Sequence, residues 1–90
     1  MSPEAGGNAA TGVRAVVEVL ARALADRPDD VRVTESQHKQ ITLIELFVSP
    51  QDIAKVIGRQ GRTAAALRTL ASTAGEREGK QVTLEIRESR

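Results

Sequence analysis

In VIGRQGRTAAALRTL (Val56 to Leu70), Gly58 and Gly61 stand three residues apart. Arg59 lies inside the pair, Arg62 directly after it, and Lys55 three residues before it. Glycine leaves the main chain uncovered by Cβ atoms, so an anion can come close to backbone N–H groups there. A helix that starts after the second glycine adds partial positive charge at the same place. Arg59 and Arg62 can contribute charge-assisted hydrogen bonds, Lys55 a third cation, and Gln60 an uncharged polar group. The chemistry is the gripping of a phosphate, with no bond made or broken. Taken alone, G-x-x-G also fits an ordinary turn between two helices and arises by chance in many chains, so the surrounding residues must decide.

Charge is the first of those surroundings. The 90-residue chain has a formal net charge of only +1, yet Asp52 to Arg68 holds Lys55, Arg59, Arg62 and Arg68 against one carboxylate. That segment is +3 and the remainder sums to −2, so basic residues are concentrated around the glycine pair. Solvated helix faces that happen to be basic would give the same count. Phe47 is the only aromatic residue, which excludes a binding surface built from several stacked rings. A nucleic-acid ligand would have to be held by aliphatic walls and backbone groups.

Other chemistries find little support. The chain has no cysteine, and His38 is its only histidine, so disulfides, thiolate metal sites and His-rich zinc sites are excluded. His38 reads as a polar turn residue, and Asp29, Asp30, Thr34 and Ser36 as turn chemistry. No Ser/His/Asp set, carboxylate pair in a plausible pocket, or Walker-type loop is present, and the chain reads as a non-enzyme without metal, cofactor or small-molecule substrate. No apolar run approaches the roughly 20 residues of a membrane span. Met1 to Gly12 lacks the basic start and apolar centre of a signal peptide, so a cytoplasmic protein without membrane contact is expected. Hydrophobic residues at 40% and charged residues at 28% suit one small globular domain.

The elements that must position the glycine pair follow from periodicity. Met1 to Ala10 is small, polar and glycine-rich, and is expected to be disordered, leaving 11–90 as a single domain. Val13, Val16, Val17, Leu20 and Leu24 recur at helical steps and predict one buried stripe, with Arg14, Glu18 and Arg22 off it. Asp26 to Asp30, with Pro28, stops that helix. Val31 to Glu35 predicts a short strand, Ser36 to Lys39 a four-residue hairpin loop, and Gln40 to Val48 a central strand. Ile44, Leu46 and Val48 share its core face, and Leu43 and Phe47 the other.

Ser49-Pro50-Gln51-Asp52 predicts a helix start. Ser49 is the cap, Pro50 sits at the first helical position, and Asp52 closes a box-like cap. Ile53, Val56 and Ile57 face inward on a short helix that ends at Gly58. A second helix begins at Gly61 or Arg62. It buries Ala64, Leu67, Leu70, Ala71 and Ala74 and stops at Gly75. Lys80 to Arg87 alternates cleanly and predicts a last strand with Val82, Leu84 and Ile86 inward. The order is α-β-β-α-α-β.

In that setting the glycine pair sits between two helices inside β-α-α-β, the arrangement of a KH domain, whose G-x-x-G loop clamps about four backbone nucleotides. VIGRQGRTAAALRTL is similar to the VIGRxGRT-x-x-A-[IL]-R-T stretch of the small stand-alone bacterial KH proteins of the KhpA family. The preceding helix and hairpin fit that family from about Thr11 onward. The resemblance implies an α+β fold of the bacterial (type II) KH kind, a three-stranded sheet with helices packed on one face. It implies RNA chaperone-like or post-transcriptional regulatory binding of single-stranded RNA. Carried over by position, Gly58, Arg59, Gln60 and Gly61 are the phosphate loop, Lys55 and Arg62 flank it, and Ala54 and Ala64 line the wall where bases lie. It further implies partners: a second copy of the chain, as a homodimer, or a larger KH-containing protein of the Jag/KhpB type.

Two rivals remain at this point, a KH scaffold whose main ligand is a protein and a binder of single-stranded DNA. The first predicts that Arg59 and Gln60 tolerate acidic replacement while Leu43, Phe47 or the second helix do not.

Overall fold

The computed structural model describes residues 12–89, so the expectation for Met1 to Ala10 lies outside the described residues. Helix α1 (Val13–Leu24) leads through a 3-10 turn at Pro28–Asp30 into strand β1 (Arg32–His38) and strand β2 (Ile41–Val48). A second 3-10 turn, Pro50–Asp52, starts helix α2 (Ile53–Ile57). The glycine pair then leads into helix α3 (Arg62–Arg77) and strand β3 (Gln81–Glu88). The predicted order of elements is the observed one.

β2 is the central strand. It pairs antiparallel with β1, from Arg32 opposite Phe47 to His38 opposite Ile41. It pairs parallel with β3, from Ile41 beside Gln81 to Val48 beside Glu88. A parallel pair needs a crossover, and α2, the glycine loop and α3 supply it. The alternation of β2 decides which face is covered. Thr42, Ile44, Leu46 and Val48 are buried beneath the helices, while Leu43, Glu45 and Phe47 on the other face are half-buried with no helix over them. Val13, Val17 and Ala21 of α1, Val56 of α2, Leu67 and Ala71 of α3, and Leu84 of β3 complete the core. Thr42, the one polar residue in the inward row of β2, donates its hydroxyl to Gln37 and so is buried without loss of a hydrogen bond.

Four expectations are corrected. β1 runs to His38, and the hairpin turns on Lys39 and Gln40 alone, with Lys39 in the left-handed region (φ 59°). Ser36 to His38 is polar and exposed although it is strand, because an edge strand needs no apolar residue there. The stripe of α1 is rotated: Ala21 is fully buried, whereas Val16 and Leu24 are each 36% exposed. The apolar arc of α1 is wider than the surface that covers it. Leu70 of α3 is 48% exposed for the same reason.

Gly75 does not stop α3. It is buried inside the helix, where a Cβ would overlap the Val82 side chain and lie 3.2 Å from the carbonyl oxygen of Lys80. The stop is the Glu78–Gly79 turn, with Gly79 at φ 71° and the Lys80 N–H returned to the Gly75 carbonyl at 2.8 Å. Sequence alone does not separate a glycine needed for close packing from one needed for positive φ.

Candidate nucleic-acid interface

The glycine loop is built from α2 outward. Ser49 accepts the Gln51 N–H at 3.3 Å, as a cap should, and Pro50 takes the first position of the turn. Asp52, predicted to close a cap box, does something else. It makes no side-chain cap bond to its own helix. Its carboxylate is fully buried and accepts the main-chain N–H groups of Asp26 and Arg27, at 3.0 Å each. The carboxylate at the start of α2 thus ties this helix to the linker that follows α1. The Arg27 N–H is the largest influence holding the Asp52 carboxyl below the usual range. Burial opposes it, and the Asp26 N–H and the charges of Lys55 and Arg27 assist.

The chain leaves α2 at Gly58, whose N–H still reaches the Ala54 carbonyl at 2.8 Å. Gly58 has φ 81° and ψ 169°, a conformation essentially confined to glycine. A Cβ there would also overlap the Thr63 side chain and lie 2.9 Å from the Thr63 main-chain nitrogen. Gly58 is therefore required twice, by backbone conformation and by contact with the first turn of α3. Gly61 differs. It is left-handed (φ 74°, ψ 13°), but nothing lies within 4 Å of where its Cβ would be. Between them Gln60 is also left-handed (φ 56°), and the Gly61 N–H closes the turn on the Gly58 carbonyl at 3.0 Å. Among the described residues, no side chain caps the first turn of α3.

The side chains divide by availability. Arg59 and Gln60 are exposed at the tip. Arg62 is exposed and donates from Nη2 to Gln60 Oε1 at 3.1 Å, which orders the two polar groups together. Among the described residues, neither Arg59 nor Arg62 has a carboxylate within ion-pair distance. Lys55 does, with its Nζ 2.8 Å from Asp26 Oδ2. That hydrogen bond is the largest influence pushing the Lys55 pKa up; burial opposes it, and the charges of Asp26 and Asp52 assist.

Ala54 is exposed, and a wall for bases can include it. Ala64 is 3% exposed and shares the inward face of α3 with Leu67 and Ala71, so it has almost no surface to offer. The structure separates the two alanines that the resemblance had put on one wall. Sequence reasoning missed Thr63, which seats Gly58, and Asp26, which holds Lys55. Thr63 lies within the VIGRxGRT stretch, which could have pointed to it, and Asp26 carries no signal, because its partner is 29 residues away.

The chain carrying this loop has relatives among known proteins. The family described as KhpA/KhpB, KH domain, matches residues 14–86. The RNA-binding protein KhpA of Clostridium perfringens is 45% identical over 74 residues, covering 82% of this chain and 99% of that protein. The RNA-binding protein KhpA of Aquifex aeolicus is 46% identical over 78 residues, covering 87% and 99%. Among solved structures, Era in complex with MgGDPNP and a segment of 16S ribosomal RNA superimposes with a TM-score of 0.61 at 19% identity. That match covers 84% of this chain but only 29% of Era, and at such identity the likeness is one of fold.

Proposed function

The chain belongs to the KhpA/KhpB KH-domain family, and from that premise we propose that residues 11–90 act as one KH domain binding single-stranded RNA along its sugar–phosphate backbone. The observation that carries the proposal is the loop itself, where two glycines at positive φ adjoin Arg59 and Arg62, neither of which has a carboxylate partner among the described residues. Phosphates approach the bare main chain at Gly58 to Gly61, Arg59 and Arg62 meet their charge, and Gln60 adds a neutral hydrogen bond. Ala54 offers the adjacent small surface. No reaction is involved, and the role is chaperone-like or regulatory, in the cytoplasm.

A loop of this size reads about four nucleotides, so one copy binds weakly and with little sequence preference. A second observation favours pairing. Val16, Val19, Leu20 and Leu70 line a groove of about 370 Å³ between α1 and α3, with Val19 67% exposed. Either a second copy of the chain or a larger KH-containing protein of the Jag/KhpB type would cover it. Linking two RNA-binding loops raises affinity through effective concentration.

The test is fluorescence anisotropy of a labelled single-stranded RNA against wild type and the Arg59→Asp/Gln60→Asp double variant, with circular dichroism to confirm folding. The folded double variant is expected to lose binding. With Arg59 and Arg62 each neutralising one phosphate, and up to about three contacts if Lys55 joins them, wild-type affinity is expected to fall with salt at a log–log slope between about −1.4 and −2. Unchanged binding by the double variant would remove the loop mechanism and leave the apolar groove as the main interaction surface. A matched DNA oligomer in the same assay decides between RNA and single-stranded DNA.

A further inference from the structure

We propose that Asp26 is an intramolecular competitor for the phosphate, an anion delivered by the α1–β1 linker that occupies Lys55 and restrains binding at the glycine loop; this rests on the RNA-binding reading above. The argument starts from how firmly Asp26 is placed. Its main-chain N–H, and that of Arg27, are taken by the buried Asp52 carboxylate at 3.0 Å, so the linker is fastened to the same helix that carries Lys55. From that anchor the Asp26 side chain reaches Lys55 Nζ at 2.8 Å, one helical turn before Arg59. The second nearby carboxylate, Asp52, is committed to the two N–H groups, and Asp26 is therefore the group that neutralises the lysine.

The pair is also exchangeable. The side chains of Lys55 and Asp26 are 45% and 65% exposed, and pairs so open to water are held by about 1 kcal/mol or less. A phosphate can take the ammonium from Asp26, but the displaced carboxylate then remains beside the newcomer and repels it. The Asp52–Arg68 segment counts four cations, yet one of them is answered before any ligand arrives. Arg59 and Arg62 act at full charge and Lys55 does not.

Counterion release gives this a measurable form. The ions released on binding are those condensed on the nucleic acid, and a Lys55–Asp26 pair of no net charge neutralises no phosphate, so it adds little to the salt dependence of binding. Freeing it should steepen the log–log slope by about 0.7, the increment for one further phosphate contact on a single strand. At about 0.1 M salt that increment corresponds to about fivefold tighter binding, fading towards about 1 M.

The experiment is anisotropy of a fluorescein-labelled oligouridine across a potassium chloride series, with circular dichroism on each variant. Asp26→Asn keeps the main-chain N–H that Asp52 needs and removes only the charge; Asp26→Ser is a second removal by a different side chain. Both are expected to bind about fivefold tighter at about 0.1 M salt with a slope steeper by about 0.7, and adding Lys55→Gln to Asp26→Asn is expected to abolish the gain. Unchanged or weaker binding by the folded Asp26 variants overturns the proposal, as does a gain that survives loss of Lys55. The Arg59→Asp/Gln60→Asp variant separates the two readings. If it binds like wild type, or wild type does not bind, the loop reading falls and this proposal with it; if it fails to bind while Asp26→Asn equals wild type, only this proposal falls.

Discussion

Arg59 and Arg62 at the glycine loop and Arg87 on the uncovered face of the sheet are the same side chain in opposite circumstances. Arg87 lies beside Phe47 on β3, with Nε 3.0 Å from Glu45 and Nη2 2.6 Å from Glu85. Its charge is answered twice within the protein. The loop arginines have no such partners among the described residues, and Arg62 touches only the neutral amide of Gln60. A count of cations along the sequence treats all three alike. An unanswered cation alone does not mark the loop, because Arg32, Lys39, Arg68 and Arg77 also lack a carboxylate within ion-pair distance among the described residues. What sets Arg59 and Arg62 apart is that they adjoin bare glycine backbone, and that is a property of the fold.

The largest effect comes from testing this contrast directly. Arg59→Gln with Arg62→Gln should remove two phosphate contacts, flattening the log–log salt slope by about 1.4 and weakening RNA binding about 25-fold at about 0.1 M salt. Arg87→Gln should alter neither the slope nor the affinity. Its ion pairs are exposed, so it should also cost less than about 1 kcal/mol in unfolding experiments. The comparison breaks if Arg87→Gln flattens the slope as one loop arginine would, because Arg87 would then be exchanging its carboxylates for phosphate.

A smaller effect sharpens the comparison within the loop itself. Gly58→Ala meets both a backbone conformation closed to alanine and the Thr63 main chain, so it should strain the loop by about 1–3 kcal/mol or more and weaken RNA binding about tenfold or more. Gly61→Ala meets open space and only the left-handed penalty of about 1–2 kcal/mol. Thermal unfolding should therefore rank wild type above Gly61→Ala above Gly58→Ala. Equal loss of stability in the two variants would mean that the seat on Thr63 does not hold the loop in place.

The parts of this molecule that were legible in the sequence are those governed by local rules. The nearly continuous apolar run from Ile41 to Val48, the cap at Ser49, the helical steps from Val13 and the glycine spacing each have a compositional or positional signature, and each placed its element. The failures have a common origin in tertiary contact. Which part of α1's apolar arc is covered depends on where α3 and the sheet lie, so Ala21 is buried and Val16 is not. Gly75 looked like a helix stop because its actual reason, the close approach of Val82, comes from another element. Ala64 lies on the inward face, where its helical steps put it, and only the resemblance set it on the wall for bases. Lys55 and Asp52 were read as a flanking cation and a cap. Their partners lie more than twenty residues earlier, where no spacing rule reaches.

Asp52 supplies the smallest expected effect and the closest view of what supports the loop. Its carboxyl is held below the ordinary value of 3.8 in the folded chain, chiefly by the Arg27 N–H. Between the folded and unfolded values the unfolded chain binds more protons, so stability rises with pH there. The stabilisation is fully present above about pH 4, the unfolded carboxyl range, and is lost as pH falls through the depressed folded value. Asp52→Asn removes that titration. It also leaves one of the two linker N–H groups without an acceptor, because an amide nitrogen cannot accept it. Urea unfolding at pH 7, 5, 4 and 3 should show the variant less stable than wild type at pH 7, with the two curves converging on the acid side. Parallel curves would mean that the linker contact does not depend on the charge of Asp52. Convergence together with weakened RNA binding by the folded variant at pH 7 would have a different meaning. Arg59 and Arg62 would then owe their availability to a carboxylate that never touches them, one that holds α2 and the start of the loop against the linker.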